Sequence, residues 1–218
     1  ARPGQPRLDL DLFTGGTFAL LLLFMLPANA AARPGQPRLD LDLFTGGTFG
    51  YDCYRLPNLI QMNTPGTLVA FGQGRTNVGC PDAGPMDSFS RVTTDNGNTW
   101  SPQRRVWPNA ARQTMGTPTA IHDAKSDQIF LFMNPQHGGR DAADNRRVLL
   151  FNGSLVVNHD GSAEMQWSQE PRDMTPDLVP EHWDNVWMGT QQGITVDLPD
   201  GQGQRLIMCA NHHSKSDP

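Results

Sequence analysis

The segment TTDNGNTW, residues 93–100, is the most informative part of this chain. A carboxylate at Asp95 can accept hydrogen bonds from the N–H groups of a tight turn, and Gly97 can adopt a positive φ without a steric penalty. The ring of Trp100 is then expected to pack against the sheet that the turn closes. The segment therefore predicts an antiparallel hairpin.

The composition around this turn is that of an all-β protein. The 218 residues include 22 glycines and 18 prolines, and short runs of β-forming residues alternate with turn clusters. This pattern favours a sandwich, a barrel or a propeller. The net charge of −5 and the scattered arginines offer no basic surface for phosphate backbones, so no nucleic-acid partner is expected.

The β-forming runs group into units of about fifty residues, the period typical of propeller blades. The alternating segment Leu39–Phe44 predicts a strand before the first unit. Residues 158–167 have the pattern of a degenerate second turn. Strands are expected at 67–71, 88–93 and 100–101, then at 120–122, 128–133, 147–151 and 155–157, and in a third unit at 193–196 and 205–209.

Several phrases of the sequence together resemble the N-terminal part of the sialidase (neuraminidase) family. Residues 54–57, YRLP, are similar to the family's Tyr/Phe-Arg-Ile-Pro phrase, and TTDNGNTW is similar to its Asp box. Gly74-Arg75 and residues 81–85 are similar to the family's arginine segment and its acid/base Asp loop. Further similar phrases occur at 167–175, 193–194, 205–207 and 210–212.

The resemblance implies an all-β fold, a six-bladed β-propeller of which this chain holds the first three to four blades. It also implies an exo-α-sialidase, which hydrolyses terminal sialic acid from glycoconjugates. In that case Arg55 binds the sialic carboxylate, because a guanidinium matches a carboxylate bidentately. Arg75 is a second substrate-binding candidate, and Asp82 is the general acid and base.

Each of these residues also has a structural interpretation. Arg55 can form an ion pair with a structural acid, Arg75 can lie in an exposed turn, and Asp82 can cap a turn. Asp87 competes with Asp82 for the acid/base role. No cofactor is expected, and no metal site is expected because the six histidines and three cysteines lack metal-ligand spacing.

The family's remaining catalytic groups have no counterpart in the sequence. The family's nucleophile is a Tyr with a Glu partner, expected beyond residue 218 together with further arginines, while the tyrosines here are Tyr51 and Tyr54. We therefore expect the chain by itself to be inactive. The alternative is a non-catalytic Asp-box propeller that binds glycans or proteins, in which Arg55 and Asp82 are structural.

The N-terminal region predicts a presequence. Residues 1–18 recur unchanged as residues 32–49, around an apolar octet at 19–26 and an A-x-A site at 28–30. We assign 1–31 to a duplicated segment with a signal-peptide-like run, and 32–218 to the propeller; a buried strand or helix is the alternative for the octet. The protein is expected to be secreted or to reside in the secretory pathway, including the lysosome and the cell surface. Expected partners are sialylated glycoproteins, glycolipids or oligosaccharides, with no stable membrane insertion.

The cysteines leave two interpretations open. Cys53 precedes Arg55 by two residues and Cys80 precedes Asp82 by two, so the two sulfurs are neighbours if both candidates face one pocket. A disulfide is then the consequence. The favoured expectation is instead that Cys53, Cys80 and Cys209 are small buried hydrophobic residues.

Overall fold

The structure of the chain is a computed structural model that describes residues 41–82, 84–108, 116–135, 146–189, 192–201 and 203–213. The duplicated segment and the apolar octet at 19–26 lie outside these residues, so the presequence stays a prediction. The described part is nearly all β, with one short helix, α1 (Thr175–Leu178), and one 3-10 turn at Pro199–Gly201.

The first sheet is a four-stranded antiparallel meander. Its strands follow one another in space as they do in sequence. Alternating apolar side chains and the turns at 62–67 and 94–99 explain this order, because short connections place consecutive strands side by side. The strands are β1 (Cys53–Gln61), β2 (Leu68–Arg75), β3 (Met86–Thr93) and β4 (Arg104–Arg105).

The second sheet repeats this arrangement and corrects the predicted strand bounds. The predicted strands at 147–151 and 155–157 are one continuous strand, and the fourth strand lies at 163–167. The turn at 158–161 joins the third and fourth strands, the same place that TTDNGNTW takes in the first sheet. The strands are β5 (Thr119–Asp123), β6 (Gln128–Met133), β7 (Leu149–Val157) and β8 (Ala163–Trp167), with β9 (Arg172–Asp173) paired to β7.

β7 continues through Asn152-Gly153-Ser154, and a packing contact requires glycine at position 153. A Cβ atom at this position would lie 2.3 Å from Cζ3 of Trp167, so only glycine leaves room for the indole ring of β8. The glycine therefore marks a close packing contact inside one continuous strand and not a break between two strands.

The last part of the described chain forms two small antiparallel sheets. β10 (Asn185–Met188) pairs with β13 (Ala210–His213), and β11 (Ile194–Asp197) pairs with β12 (Gln204–Ile207). β1 lies beside β5, and β5 lies beside β11. β5 of the second sheet therefore has a strand of the first sheet and a C-terminal strand as neighbours.

Two apolar cores hold the sheets together. The first lies between the first two sheets and the second lies between the second sheet and the C-terminal strands, and each fully buried large side chain contributes about 1.5–3 kcal/mol. The first core includes Ile60, Val69, Phe71, Val92, Ile129, Leu131 and Phe151, and the second includes Ile121, Phe132, Leu150, Trp183, Val186 and Leu206.

The segment before β1 differs from the prediction. The described residues of the alternating run, Leu41–Phe44, form no strand. Phe44 instead lies against Gly72, where an added Cβ would be 3.0 Å from the ring, and the carbonyl of Leu43 accepts a hydrogen bond from Arg91. The segment thus packs on the face of the sheet through side chains and does not extend it.

Candidate functional site

The candidate site lies at the end of the first sheet opposite the TTDNGNTW turn. Cys53 pairs with Arg75, and Arg75 pairs with Met86, whereas Leu68 pairs with Thr93 next to the turn. Seven residues of β2 separate the two ends, a distance of about 20 Å at the usual rise of a strand. The turn therefore cannot contact a ligand at the site.

A β-bulge in β1 orients Arg55. The pairing with β2 shifts between Arg55 and Asn58, and Leu56 has a φ of 55°. Bulges re-aim the neighbouring side chains, and a branched Ile would tolerate this φ less well than Leu. The side chain of Arg55 is 44% exposed, and its Nη1 atom donates a hydrogen bond to Oδ1 of Asp82 at 2.8 Å.

Arg75 ends β2 and is buried. Its Nε donates to Oε1 of Gln73 at 2.9 Å, and its Nη1 donates to the Pro81 carbonyl and to Oδ1 of Asp82, the latter at 2.7 Å. Gln73 and Arg75 are two residues apart on one strand and so project to the same face. The guanidinium is thus compensated by the loop it supports, and this contact with Gln73 was missed in the sequence analysis.

Asp82 joins the two arginines. Its side chain is 77% exposed, and one oxygen, Oδ1, accepts from both guanidinium groups. The hydrogen bond from Arg75 and the positive charges of Arg55 and Arg75 hold the pKa of Asp82 below its usual range. All three residues singled out from the sequence therefore meet at one place, and Asp82 is ionised there at neutral pH.

Cys53 and Cys80 form a disulfide bond, with their Cα atoms 5.9 Å apart. The expectation of three separate buried thiols was therefore wrong, and the alternative pairing is confirmed. Cys209 is a free cysteine and is exposed, which also differs from that expectation. The bond connects the start of β1 to the loop that carries Asp82.

The competing acid, Asp87, has a different environment. It is 3% exposed, and it contacts Tyr51 and Arg105. Burial, followed by the hydrogen bond to Asp87, raises the pKa of the Tyr51 hydroxyl. Asp87 thus belongs to a polar group that sequence reasoning did not find, because its three members, Tyr51, Asp87 and Arg105, come from three separate segments.

A cleft of about 430 Å³ lies beside Arg55. Its walls come from β1, β2 and the segment 41–44, and most of its lining is apolar. The lining includes Leu41, Asp42, Leu43, Phe44, Tyr54, Pro57, Asn58, Leu59, Ala70 and Phe71. Asn58 has a buried amide nitrogen with no hydrogen-bond partner.

Two tryptophans of the C-terminal part, Trp183 and Trp187, are placed in or beside the second core. Trp183 is 4% exposed, stacks on His212 with ring centroids 3.9 Å apart, and belongs to the second core. Trp183 is therefore a packing residue. Trp187 pairs with Asn211 in the C-terminal strands.

Among the described residues, no group of three or more His, Cys, Asp or Glu side chains is close enough to hold a metal ion. The same part of the chain contains no helix that is both long and apolar enough to cross a membrane.

The chemistry available at the site is anion binding. Two guanidinium groups face one carboxylate, so a positive charge remains uncompensated among these three side chains. Arg55 makes no hydrogen bond from Nε or Nη2 within the described residues and is half exposed, whereas Arg75 is buried and uses Nε for Gln73 and Nη1 for the loop. Arg55 therefore presents free donors to a planar anion such as a carboxylate.

No protein-family model and no curated protein matches the chain. Solved structures do match. The Hadza microbial sialidase Hz136 aligns with a TM-score of 0.55 and 21% identity over 72% of this chain and 37% of that one. Trypanosoma rangeli sialidase in complex with the inhibitor DANA aligns with a TM-score of 0.52 and 15% identity, over 70% of this chain and 30% of that one.

The intramolecular trans-sialidase from Ruminococcus gnavus in complex with oseltamivir carboxylate aligns with a TM-score of 0.50 and 13% identity, over 76% of this chain and 57% of that one. The chain thus spans less than two thirds of the length of each of these structures. At such identities the similarity is one of fold. The described part of this protein has a sialidase-like β-sheet fold.

Proposed function

We propose that this chain belongs to an exo-α-sialidase, a glycoside hydrolase that removes terminal sialic acid, and that Arg55 and Asp82 act in its site. The observation that carries the proposal is the convergence of Arg55 and Arg75 on one oxygen of the exposed Asp82. The sialidase-like fold of the described residues also supports the proposal.

The proposed role of Arg55 is to bind the carboxylate of sialic acid. Its side chain is half exposed and retains Nε and Nη2 as donors. A bidentate pair between guanidinium and carboxylate is both directional and charge-assisted. Arg75 is proposed to contribute its charge from beneath the loop, because its side chain is buried and its Nε and Nη1 donate to Gln73, Pro81 and Asp82.

The proposed role of Asp82 is general acid and then base at the glycosidic oxygen. An acid must hold a proton, yet the two arginines keep the pKa of Asp82 low in this structure. A bound sialic carboxylate would compensate the charge of Arg55 and so raise the pKa of Asp82. The substrate itself would then favour the protonated form that the reaction needs.

The alternative, a non-catalytic protein that binds glycans or proteins, also has a supporting observation. Tyr51 is buried and hydrogen-bonded to Asp87, and the Tyr54 hydroxyl accepts a hydrogen bond from Gln103. Neither tyrosine contacts Arg55 or Asp82 through a hydrogen bond within the described residues. The nucleophile, its Glu partner and the further arginines of an enzyme remain predictions.

The proposed partners are sialylated glycoproteins, glycolipids or oligosaccharides. The proposed location is the secretory pathway or the cell exterior. The signal-like run at 19–30 supports this location, and so does the Cys53–Cys80 bond, because disulfides persist mainly in oxidising compartments.

The proposal is tested by titrating the chain with the α-methyl glycoside of sialic acid and with neutral methyl galactoside. We expect binding of the sialoside alone, weakened about tenfold or more in Arg55→Ala, because hydrogen bonds to charged groups contribute about 1.5–3 kcal/mol. Arg104→Ala is the control, since Arg104 is exposed and pairs with Glu164 away from the site. Equal sialoside binding by the Arg55→Ala variant would refute the proposal.

A further inference from the structure

The loop that carries Asp82 has little packing of its own. None of the described residues between Thr76 and Pro85 is buried, and Val78 is 89% exposed. A loop without apolar contacts is expected to open at a low free-energy cost. Something other than the core must therefore hold Asp82 at its place above the arginines.

The polar contacts of the loop converge on Cys80. Its carbonyl oxygen lies 3.5 Å from Nη1 of Arg55 and 3.4 Å from Nη1 of Arg75, so both guanidinium groups donate to it. Its N–H donates to the carbonyl of Asn77 at 3.1 Å. The preceding residue, Gly79, donates its N–H to Oδ2 of Asp52 at 3.2 Å.

The backbone of Cys80 is also unusual. Its φ is 58°, a left-handed value that residues with a Cβ atom adopt at a cost. Such a conformation persists when the surroundings hold it. The bond to Cys53 is the covalent part of those surroundings, and Cys53 lies two residues before Arg55 on β1.

The disulfide therefore connects the two halves of the candidate site by a short path. One end is two residues from the guanidinium of Arg55, and the other is two residues from the carboxylate of Asp82. We propose that the Cys53–Cys80 disulfide is a positioning element that holds Asp82 over Arg55 and Arg75, so that the anion site is complete only when these cysteines are oxidised. The ligand-binding part of this inference rests on the proposed function.

The test compares Cys53→Ser/Cys80→Ser with Cys209→Ser, which removes the exposed free thiol and leaves the bond intact. The pKa of the Asp82 carboxyl is followed by NMR, and sialoside affinity is measured by titration. In the double variant we expect the pKa of Asp82 to rise toward its ordinary value. We expect the affinity to fall at least fivefold, because release of the loop also removes the Cys80 and Pro81 carbonyls that orient the two guanidinium groups, which Asp82→Asn would leave in place. The Cys209→Ser control should keep both properties of the wild type.

A variant that fails to fold would not end the test. The Cys209→Ser protein can be reduced while folded, and the same Asp82 resonance can be followed as the bond opens; backbone amide spectra of β2 and β6 report whether the sheets remain intact. An unchanged Asp82 pKa after reduction or in the double variant would overturn the inference and leave the bond a stability element only. If no form binds sialoside, the proposed function fails, but the Asp82 titration still decides whether the disulfide positions the loop.

Discussion

At the scale of single residues, the site consists of one carboxylate that pairs with two guanidinium groups. Arg75 is buried under the loop, Arg55 is half exposed, and Asp82 accepts from both with the same oxygen. Asp82 thus acts as an internal counter-ion at the place where an external carboxylate would bind. Binding of an anion and retention of the Asp82 charge should therefore oppose each other.

Asp82→Asn should consequently bind an anionic sugar more tightly than the wild type. The substitution keeps the shape and the Oδ1 acceptor but removes the charge that repels the ligand, and an exposed ion pair is worth up to about 1 kcal/mol, or about fivefold in Kd. Isothermal titration with the α-methyl sialoside measures the effect. Asp177→Asn, which alters an exposed ion pair with Arg172, should leave the affinity unchanged. Weaker binding by Asp82→Asn would show that Asp82 orders Arg55 instead of competing with the ligand.

At the scale of elements, the TTDNGNTW turn is held together by hydrogen bonds among its own residues. Oδ1 of Asp95 accepts from the backbone N–H of Thr99 at 2.9 Å, and the Thr93 hydroxyl accepts from the N–H of Gly97 at 3.0 Å. Gly97 has a φ of 87°, as predicted. The turn thereby sets the angle at which the chain leaves β3.

The hydrogen bonds of Asp95 make the turn sensitive to acid. The hydroxyl and N–H of Thr99, followed by Thr93, lower the pKa of Asp95 to about 2. Because this folded-state pKa lies below the unfolded value, the stabilisation is present above about pH 4 and is lost as the pH falls toward 2. NMR titration of the Asp95 carboxyl should give a midpoint near pH 2. The difference in unfolding free energy between the wild type and Asp95→Asn should be larger at pH 7 than at pH 3. A midpoint near 4 would contradict the bonded geometry.

Trp100 contributes less to stability than a buried tryptophan would. Its ring is half-buried, and Nε1 donates to the Gly97 carbonyl at 3.1 Å. Trp100→Ala should therefore cost about 1–3 kcal/mol of unfolding free energy, below the usual range for a core aromatic. Urea unfolding measures this value. Sialoside affinity of the folded variant should not change, because the turn lies at the opposite end of the sheet from Arg55. A loss of affinity without a loss of stability would contradict this assignment.

At the scale of the whole molecule, the sheet that carries the site adjoins the second sheet through β1. β1 lies beside β5, and β5 lies beside β11. Catalysis by the sialidase route would need a nucleophile near the site as well as Arg55 and Asp82. The two tyrosines of the chain are engaged elsewhere in the first sheet.

We therefore expect the 218-residue chain to bind sialosides but not to turn them over. Hydrolysis of a fluorogenic aryl sialoside by the purified chain should not exceed the buffer background. Turnover that is abolished in Tyr51→Phe or Tyr54→Phe would show that one of these hydroxyls is the nucleophile after all. Turnover that survives both substitutions would require a nucleophile of another kind.

The sequence alone determined those features whose contacts are local. The turn at 93–100 forms its hydrogen bonds among residues at most four apart, and the hairpins follow from alternating apolar residues between turn clusters. For the same reason the strand β11 was found close to its predicted bounds. Arg55, Arg75 and Asp82 could be selected as candidates because their neighbouring phrases resemble a known family.

Only the tertiary structure decided how these residues meet. The shared oxygen of Asp82, the burial of Arg75 and the Cys53–Cys80 bond depend on the register of β1 against β2 and on the bulge at Leu56. The partners are up to 27 residues apart, so no local pattern specifies them. The segment Leu41–Phe44 has the alternation of a strand but forms none, and Phe44 packs against Gly72 instead. Strand pairing depends on which faces of several segments can be buried together, and the sequence of one segment does not contain that information.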